Sequence, residues 1–544
     1  MSVLYRGGRI YAPGNPPPTA VLVDAGRIAW VGQSENAPDA DRTVDVAGAW
    51  IAPAFVDGSL HLLGTGLAGD ELDLTGVPSL TAVLDRVAQA GRAARGGAVV
   101  GRGWLADAWP EGRRPSAGEL DRASYGGVVL LVSAGGDRAV ASSALLAAVP
   151  EARQLPGWGA DGFVSGPSFR AVERAVREAR GPARCRAAAR AAMAAAAAAG
   201  VVAVHALDEL DEPDERDELD EPHRSEMTPT PSTESGTPLP GSHDAEPVTV
   251  FRYAQTLSVD GPLAPGTAPG TESGAVRRVG AFGDGGPAGE LLCDEGDVAD
   301  LLVAASRAGT RARIRAHSAR AVEVAVRGIG AAAAVVGLDR LRTGVLIDGI
   351  TLISQNEVAS LAALGVPVCL RPAGIAAAPA DTSGGGGTEG SPGYAEAVRA
   401  LVTAGVPVML GTGSPDGPLD MWAALRTVTG AVPAGAGAPG MSPRAAITAA
   451  TRAGWRAAGH PDAGVLAVGA PAHLAIWDIP PEDSPSARGG GPQAPVRGAN
   501  WSTDPRSAVP AVLGLHGGAP ALLATVHAGR TTFTTGAARA WRGC

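Results

Sequence analysis

Short apolar runs that alternate with polar positions mark both ends of the chain. Ala20–Asp24 is one of them near the beginning, and Ala472–Trp477 and Ala521–Val526 repeat the pattern near the end. Alternation over about four to eight residues, bounded by turn residues, is typical of half-buried strands. We predict a small antiparallel sheet near the beginning of the chain, and a composite β domain in which residues 1–55 and 465–544 pair.

The middle of the chain repeats the order helix, glycine, strand. An alanine-rich helix over Arg186–Ala199 ends at Gly200, and the apolar run Val201–His205 follows it. The same order recurs from Val298, from Glu357 and from Tyr394. Repeated units of this kind predict parallel strands covered by helices, in a β/α barrel or an open doubly wound sheet.

An acidic, Thr/Pro/Ser-rich stretch over residues 208–247 interrupts this pattern. It begins with a near-repeat of Asp, Glu, Leu and Pro and contains few large apolar residues. Because such a composition cannot bury a core, we predict a solvated or disordered insert.

Composition and charge exclude several functions. The 544 residues carry a formal net charge of −10, so no positive field favours nucleic acid. No apolar stretch is long enough to span a bilayer, the first residues lack the apolar core of a signal peptide, and the four cysteines are scattered, at Cys185, Cys293, Cys369 and Cys544. We expect a cytoplasmic protein that binds a small-molecule ligand or substrate and has no nucleic-acid or membrane partner. The sequence does not specify the oligomeric state.

The chain contains no lysine, so all 45 Lys+Arg positions are arginine. A Schiff-base lysine, a phosphate-binding P-loop lysine and a carboxylated lysine are therefore all excluded.

Several motifs follow one another in an order that resembles the amidohydrolase superfamily, and within it the amidohydrolase 3 family, which includes N-substituted formamide deformylase-like enzymes. The motifs are Ile51–Leu62, Gly101–Trp104, Trp109–Pro115, Glu119–Asp121, Ser142–Leu145, Leu410–Pro415 and Gly464–Ala472. The resemblance implies a TIM-type (β/α)8 barrel over residues 56–464, with the active site at the carboxyl ends of its strands. It also implies hydrolysis of non-peptide C–N bonds by water activated on a divalent metal such as zinc. The residues themselves predict no cofactor.

Most positions at which the resemblance implies metal ligands or a catalytic aspartate hold other residues. Of the His-x-His pair only His61 is present, and the other positions are Ser59, Gly280, Arg315, Gly349 and Gly413. A shift of two residues in the alignment would bring His317 in place of Arg315. Because a catalytic metal normally needs three protein ligands, we predict no metal site, with His317 as a possible ligand beside His61.

Two functions remain open. The missing ligands favour a catalytically impaired or pseudoenzyme relative that binds a ligand, and the alternative is an active hydrolase of non-peptide C–N bonds with an altered or metal-free site. Candidate acid–base residues are His61, His205 and Asp284, and candidate substrate-binding residues are Trp104, Asp137 and Arg315. Arg311, Arg313 and Arg315 alternate along one predicted strand, so they share a face, where Arg315 either binds a carboxylate or phosphate or pairs with Asp57, Asp284 or Asp348.

Overall fold

The computed structural model of the chain describes residues 1–14, 16–94, 97–134, 138–207, 247–251, 278–279, 294–316, 319–350, 353–372, 394–415, 417–429, 440–479 and 520–536. Of the predicted acidic insert, residues 208–246 lie outside these ranges.

The first part of the chain forms short strands. They are β1 (Val3–Arg6), β2 (Arg9–Ile10), β3 (Ala20–Asp24), β4 (Arg27–Gly32), β5 (Arg42–Asp45) and β6 (Trp50–Pro53). β1 pairs antiparallel with β3 and parallel with β5, and β4 pairs antiparallel with β3. The prediction of an antiparallel sheet is confirmed for β1, β3 and β4. It is wrong for β5, because the chain after β4 crosses to the opposite edge of β1.

Strands from both ends of the chain meet in a second sheet. β2 pairs parallel with β6, and β6 pairs antiparallel with β20 (Leu474–Asp478). The sheet continues through β21 (Ala521–His527) to β22 (Arg530–Thr534). Its apolar face is buried against the first sheet, where Ile51 and Ile476 join one apolar cluster with Val21.

Parallel strands occupy the middle of the chain. One sheet has the order β14 (Thr249–Phe251), β13 (Val201–Ala206), β7 (Phe55–Leu60), and all its strands are parallel. A second parallel sheet runs in the order β15 (Arg278–Val279), β16 (Ala312–Ala316), β17 (Val345–Asp348), β18 (Val368–Leu370) and β19 (Val408–Leu410).

The ends of β7 and β19 lie side by side. The amide of Gly413 donates to the carbonyl oxygen of Ser59 at 2.7 Å, and the amide of His61 donates to that of Ser414 at 2.9 Å. The carboxyl ends of the two parallel sheets therefore face one common region.

A third sheet, between β7 and β13 in the sequence, has the order β12 (Phe163–Ser165), β11 (Arg138–Ala141), β10 (Val129–Ser133), β9 (Val99–Trp104), β8 (Leu72–Asp73). Its helices and those around the parallel strands are α1 (Leu62–Leu67), α2 (Leu80–Ala93), α3 (Ala117–Ala123), α4 (Ser143–Ala148), α5 (Gly166–Ala179), α6 (Pro182–Ala198), α7 (Glu295–Arg307), α8 (Ala319–Val336), α9 (Leu338–Gly344), α10 (Gln355–Leu364), α11 (Tyr394–Thr403), α12 (Met421–Val428), α13 (Pro443–Ala450) and α14 (Arg452–Ala457).

The predicted order of helix, glycine and strand is confirmed four times. The helices α6, α7, α10 and α11 precede β13, β16, β18 and β19. Gly200, which follows α6, has a φ of +77°, a left-handed conformation that glycine adopts without the steric cost of a Cβ atom.

Aromatic side chains connect the parallel strands to the sheet shared by the chain ends. The ring of Trp422 on α12 lies 5.5 Å from that of Phe55 and 5.3 Å from that of Trp477, centroid to centroid. All three belong to the largest apolar cluster. In the described part of the chain, no helix has the length and apolar character needed to cross a bilayer.

Candidate functional site

Polar side chains gather where the parallel strands end. They come from β7, β16, β17 and the first two residues after β18 and β19. They are Asp57, Ser59, Arg313, Arg315, Asp348, Arg371 and Thr412. The carboxyl ends of parallel strands are where α/β proteins bind their ligands. We call this group the polar centre.

Asp57 is fully buried in the polar centre. Its Oδ1 accepts hydrogen bonds from the amides of Ser59 and Thr412, both at 3.0 Å, and its Oδ2 accepts one from Thr412 Oγ1 at 2.6 Å. Burial raises the pKa of Asp57 to about 6, although these hydrogen bonds and the charge of Arg313 act in the opposite direction.

Arg313 connects three strands. Its guanidinium donates from Nη1 to the carbonyl oxygen of Ala206 at 3.1 Å and from Nη2 to that of Gly58 at 2.6 Å. Only 2% of the residue is exposed. Arg313 and Arg315 are alternate residues of β16 and so share its inner face, as the sequence predicts.

Asp348 at the end of β17 lies between two guanidinium groups. Its Oδ2 is 3.9 Å from Arg315 Nε, and its Oδ1 is 3.7 Å from Arg371 Nε. Ser59 Oγ donates to Asp348 Oδ2 at 3.4 Å. The first ion pair follows from strand register, because Arg315 is the parallel partner of Asp348. For Arg315 the sequence leaves two alternatives, binding of an anionic ligand and pairing with an aspartate. The structure shows the pairing, with Asp348.

Cys369 on β18 lies close to the polar centre, but its thiol has low reactivity. Burial, with the charge of Asp348 adding to it, raises the pKa of its thiol well above the usual value. The thiol therefore stays protonated and is a poor nucleophile.

Two glycines stand where the resemblance implies a ligand and a catalytic aspartate. Gly349 and Gly413 have φ values of +84° and +68°, which disfavour any residue with a side chain. A Cβ atom on Gly413 would lie 3.1 Å from Arg371 Cδ. The stem of Arg371 therefore lies against the position from which an aspartate side chain would extend.

The three predicted acid–base residues have different surroundings. His61 directly follows β7, beside the polar centre, and is partly exposed. His205 on the neighbouring strand β13 is fully buried, with Nε2 at 3.1 Å from the carbonyl oxygen of Gly454 and its ring 4.9 Å from that of Phe251. Burial lowers the pKa of His205 well below the usual value, so its imidazole is neutral. Asp284 lies outside the described residues.

The predicted substrate-binding residues are not brought together by the described part of the structure. Trp104 lies in the third sheet, 5% exposed, and its indole N–H donates to the carbonyl oxygen of Leu131 at 2.9 Å. Core packing with Trp109, 6.0 Å away between ring centroids, accounts for its burial. Arg315 lies in the polar centre, whereas Asp137 lies outside the described residues, as does the possible ligand His317. The roles of Trp104, Asp137 and Arg315 stay predictions.

The described residues of the polar centre offer few free ligand atoms to a divalent metal ion. Within the described residues, no group of three or more His, Cys, Asp or Glu side chains lies close enough to hold one. The two carboxylates are engaged, Asp57 by Thr412 and Ser59 and Asp348 by two guanidinium groups. Arg313, Arg315 and Arg371 lie in the same group, two of them beside Asp348.

Of the seven residues of the polar centre, only Arg315 is among the predicted site residues, and neither Arg371 nor Thr412 is named individually among the predictions from the sequence. Arg371 directly follows the run Val366–Leu370, which the sequence predicts as a strand, so the first residue after each predicted strand would have identified it. Thr412 lies within the motif Leu410–Pro415, in which the resemblance implies a role for the position of Gly413.

Comparison with known proteins agrees with this architecture. The chain belongs to the amidohydrolase family, because the amidohydrolase 3 family model, described as the amidohydrolase family, matches residues 42–533. The resemblance found in the sequence is thereby confirmed at the level of the family.

Two curated relatives match only short stretches. An imidazolonepropionase of Cutibacterium acnes is 48% identical over 54 residues, 10% of this chain and 14% of that protein. An imidazolonepropionase of Salinispora arenicola is 49% identical over 47 residues, 9% of this chain and 12% of that protein. The matches thus span a small part of either relative.

Solved structures match over most of the chain. An uncharacterized metal-dependent hydrolase from Pyrococcus furiosus has a TM-score of 0.61 at 19% identity, over 88% of this chain and 99% of that one. One from Pyrococcus horikoshii OT3 has a TM-score of 0.59 at 18% identity, over 89% and 99%. Family membership and these likenesses imply a TIM-barrel-type α/β fold.

Proposed function

We propose that this amidohydrolase-family protein is a ligand-binding relative in which an arginine–aspartate network has replaced the metal centre. The observation that carries the proposal is the position of Asp348, 0% exposed and between the guanidinium groups of Arg315 and Arg371 at the strand ends. A carboxylate held in this way is neutralised by side chains and does not need a metal ion as its counter-charge.

Electrostatic repulsion supports the proposal. A divalent ion about 5 Å from one guanidinium group is repelled by roughly 7 kcal/mol at an effective dielectric constant of about 20. The polar centre holds three such groups, Arg313, Arg315 and Arg371. The carboxylates of Asp57 and Asp348 attract such an ion, and the repulsion from the three guanidinium groups offsets that attraction.

The backbone supports the proposal as well. Restoring a histidine at Gly349 or an aspartate at Gly413 would place a side chain on a residue with positive φ, at a cost of about 1 kcal/mol or more. The resemblance also implies a carboxylated lysine that bridges two metal ions, and the chain contains no lysine. An ordinary metal centre would thus require changes at Gly349, at Gly413 and at the position of the lysine together.

The proposal extends to the architecture. We propose that the two parallel sheets close into an eight-stranded barrel over residues 56–464, and that residues 1–55 and 465–544 form the composite β domain. The hydrogen bonds between the ends of β7 and β19 support the first part, and the pairing of β6 with β20 supports the second.

Metal content and turnover of the purified protein test the proposed function. The protein is treated with a chelator, reloaded with zinc, manganese or iron, dialysed, and assayed for bound metal and for hydrolysis of N-formyl and N-acyl amides. We expect far less than one ion per chain and no turnover. His61→Ala is the site variant, and His223→Ala, in the acidic stretch, is the matched control.

One ion per chain with turnover, both lost in His61→Ala and kept in His223→Ala, would contradict the proposal and establish the alternative of an active hydrolase. Turnover without bound metal, lost in His61→Ala, would establish a metal-free hydrolase instead.

A further inference from the structure

Three aromatic rings form a stack where the sheet shared by the chain ends meets α14. The ring of His473, which directly precedes β20, lies 4.6 Å from that of Trp455 on α14 and 4.9 Å from that of His527 on β21, centroid to centroid. The interplanar angles are 18° and 27°, so the rings are nearly parallel. His473 is buried and His527 is half-buried. We call these two histidines the histidine stack.

Each histidine of the stack has a hydrogen-bonding partner on another element. The amide of Ala528, in the turn between β21 and β22, donates to His473 Nδ1 at 3.2 Å. A backbone amide can only donate, so this ring nitrogen must keep its lone pair. His527 Nε2 lies 2.8 Å from Thr249 Oγ1 on β14, and a hydroxyl group can donate or accept. Protonation of His473 therefore breaks its hydrogen bond, whereas protonated His527 keeps its own and adds a positive charge beside His473.

The surroundings of the histidine stack favour neutral rings. Burial, with the charges of His527 and His460 adding to it, lowers the pKa of His473 to about 3, and burial lowers the pKa of His527 to about 4. The charged side chains on the surrounding elements are exposed or half-buried, and they are Arg452 and Arg456 on α14, Arg530 on β22, Arg311 before β16, and Asp24, Arg27 and Asp462 in turns. Both acidic groups among them are exposed, so solvent screens their attraction for a proton on the stack.

The hairpin β21–β22 lies at the edge of its sheet. Within the described residues, β20 is the only strand outside the hairpin with which it pairs. The side chains that β21 buries are mostly small, and they are Leu522, Ala524, Thr525 and Val526. Thr525 Oγ1 donates to the carbonyl oxygen of Ala197 at 2.7 Å, and the histidine stack connects the hairpin to α14 and β14. Opening of the hairpin leaves the pairing within both parallel sheets unbroken.

We propose that the histidine stack is an acid-sensitive switch that holds the β21–β22 hairpin on α14 and β14 while both rings are neutral, and that uptake of two protons releases the hairpin before the parallel sheets unfold. In the open form both imidazoles face water, where they are protonated below about pH 6.5. Because the closed form keeps both rings neutral, opening takes up protons, and a falling pH favours the open form. The switch does not depend on the ligand-binding role proposed above.

Amide hydrogen exchange of the full-length protein between pH 5.5 and 4.5, corrected for the intrinsic exchange rates, measures the opening constant of the hairpin at the amides of β21. In the wild-type protein we expect this constant to rise about 60-fold over that pH unit, because opening takes up nearly two protons. The variants His473→Asn and His527→Gln keep a hydrogen-bonding group but do not titrate. We expect a rise of about eightfold in each of them and no rise in the double variant.

Thr249→Val is the matched control, because it removes the hydrogen-bonding partner of His527 and leaves both imidazole groups in place. We expect its opening constant to exceed that of the wild-type protein at each pH, with the rise of about 60-fold retained. Circular dichroism establishes that each variant is folded.

A rise in the double variant equal to that in the wild-type protein would overturn the inference, because groups other than the histidine stack would then drive the opening. Equal opening constants for the amides of β21 and those of β17 and β18 would overturn it too, because the hairpin would then open only with the whole fold. A rise in Thr249→Val as small as that in His527→Gln would show that the lost contact, and not the titrating ring, sets the pH dependence, and would likewise overturn the inference.

Discussion

Replacing Asp348 by asparagine measures how strongly the arginine–aspartate network holds the strand ends together. The Nε–Oδ distances are 3.9 Å to Arg315 and 3.7 Å to Arg371. At an effective dielectric constant of about 20, each pair attracts by roughly 4 kcal/mol, and the cost of desolvating the charges offsets much of that. Removing the carboxylate leaves two like charges without their shared counter-charge. We expect Asp348→Asn to lower the free energy of unfolding by about 3–5 kcal/mol.

The matched control is Asp339→Asn. Asp339 pairs with Arg342 at a shorter distance, 3.1 Å, but its side chain is 95% exposed. A solvent-exposed pair contributes about 0–1 kcal/mol. If burial rather than distance decides what an ion pair contributes to the free energy of unfolding, Asp348→Asn is more destabilising than Asp339→Asn, although the ion pairs of Asp348 are longer.

Urea unfolding followed by circular dichroism compares both variants with the wild-type protein, provided that the slopes of the transitions agree. Equal midpoints for Asp348→Asn and the wild-type protein would refute the reasoning. A larger loss in Asp339→Asn than in Asp348→Asn would refute it too.

Three further changes probe the buried polar groups. Arg313→Met removes two charge-assisted hydrogen bonds and is expected to cost about 3–5 kcal/mol in urea unfolding, and a loss below about 1 kcal/mol would contradict this. Burial raises the pKa of Asp57 from 3.8 to about 6, so ionisation of this carboxyl group weakens the fold as the pH rises. Asp57→Asn should therefore gain about 2 kcal/mol relative to the wild-type protein between pH 4 and 7, and a constant difference would contradict this. Burial lowers the pKa of His473 to about 3 and that of His527 to about 4, so the wild-type protein should lose about 2 kcal/mol per histidine as the pH falls from 6.5 to 5. In His527→Gln that loss should be smaller by about this amount, and an unchanged pH profile would argue against it.

Local pattern was sufficient to predict many elements of the fold. The strand β3 begins and ends where the apolar alternation indicates, at Ala20–Asp24. Helix α10 ends at Leu364 and Gly365 follows in the left-handed conformation, as a glycine stop predicts. These features depend on neighbouring residues alone, which is why the sequence reveals them.

Arrangement between distant strands was harder to predict. β5 pairs parallel with β1 because the chain changes edges after β4, and β2 pairs with β6 rather than with β3. No local pattern encodes which edge a strand joins, because that choice depends on the packing of the whole sheet.

In the candidate site, too, local pattern predicts some contacts, and others depend on how distant strands are arranged. Alternation along β16 predicts that Arg313 and Arg315 share a face, and the register between β16 and β17 then makes Asp348 a neighbour of Arg315. Arg371 enters the centre from β18, on the other side of β17, so its contact with Asp348 depends on strand order that the sequence alone does not specify.

Anomalous diffraction at the zinc edge, from crystals of the protein soaked with zinc, tests most directly whether arginines have replaced the metal centre. We expect the guanidinium groups of Arg315 and Arg371 to remain beside Asp348, with no anomalous peak at the ends of the parallel strands. A zinc peak there, within coordination distance of His61, with the arginines displaced from Asp348, would contradict the replacement.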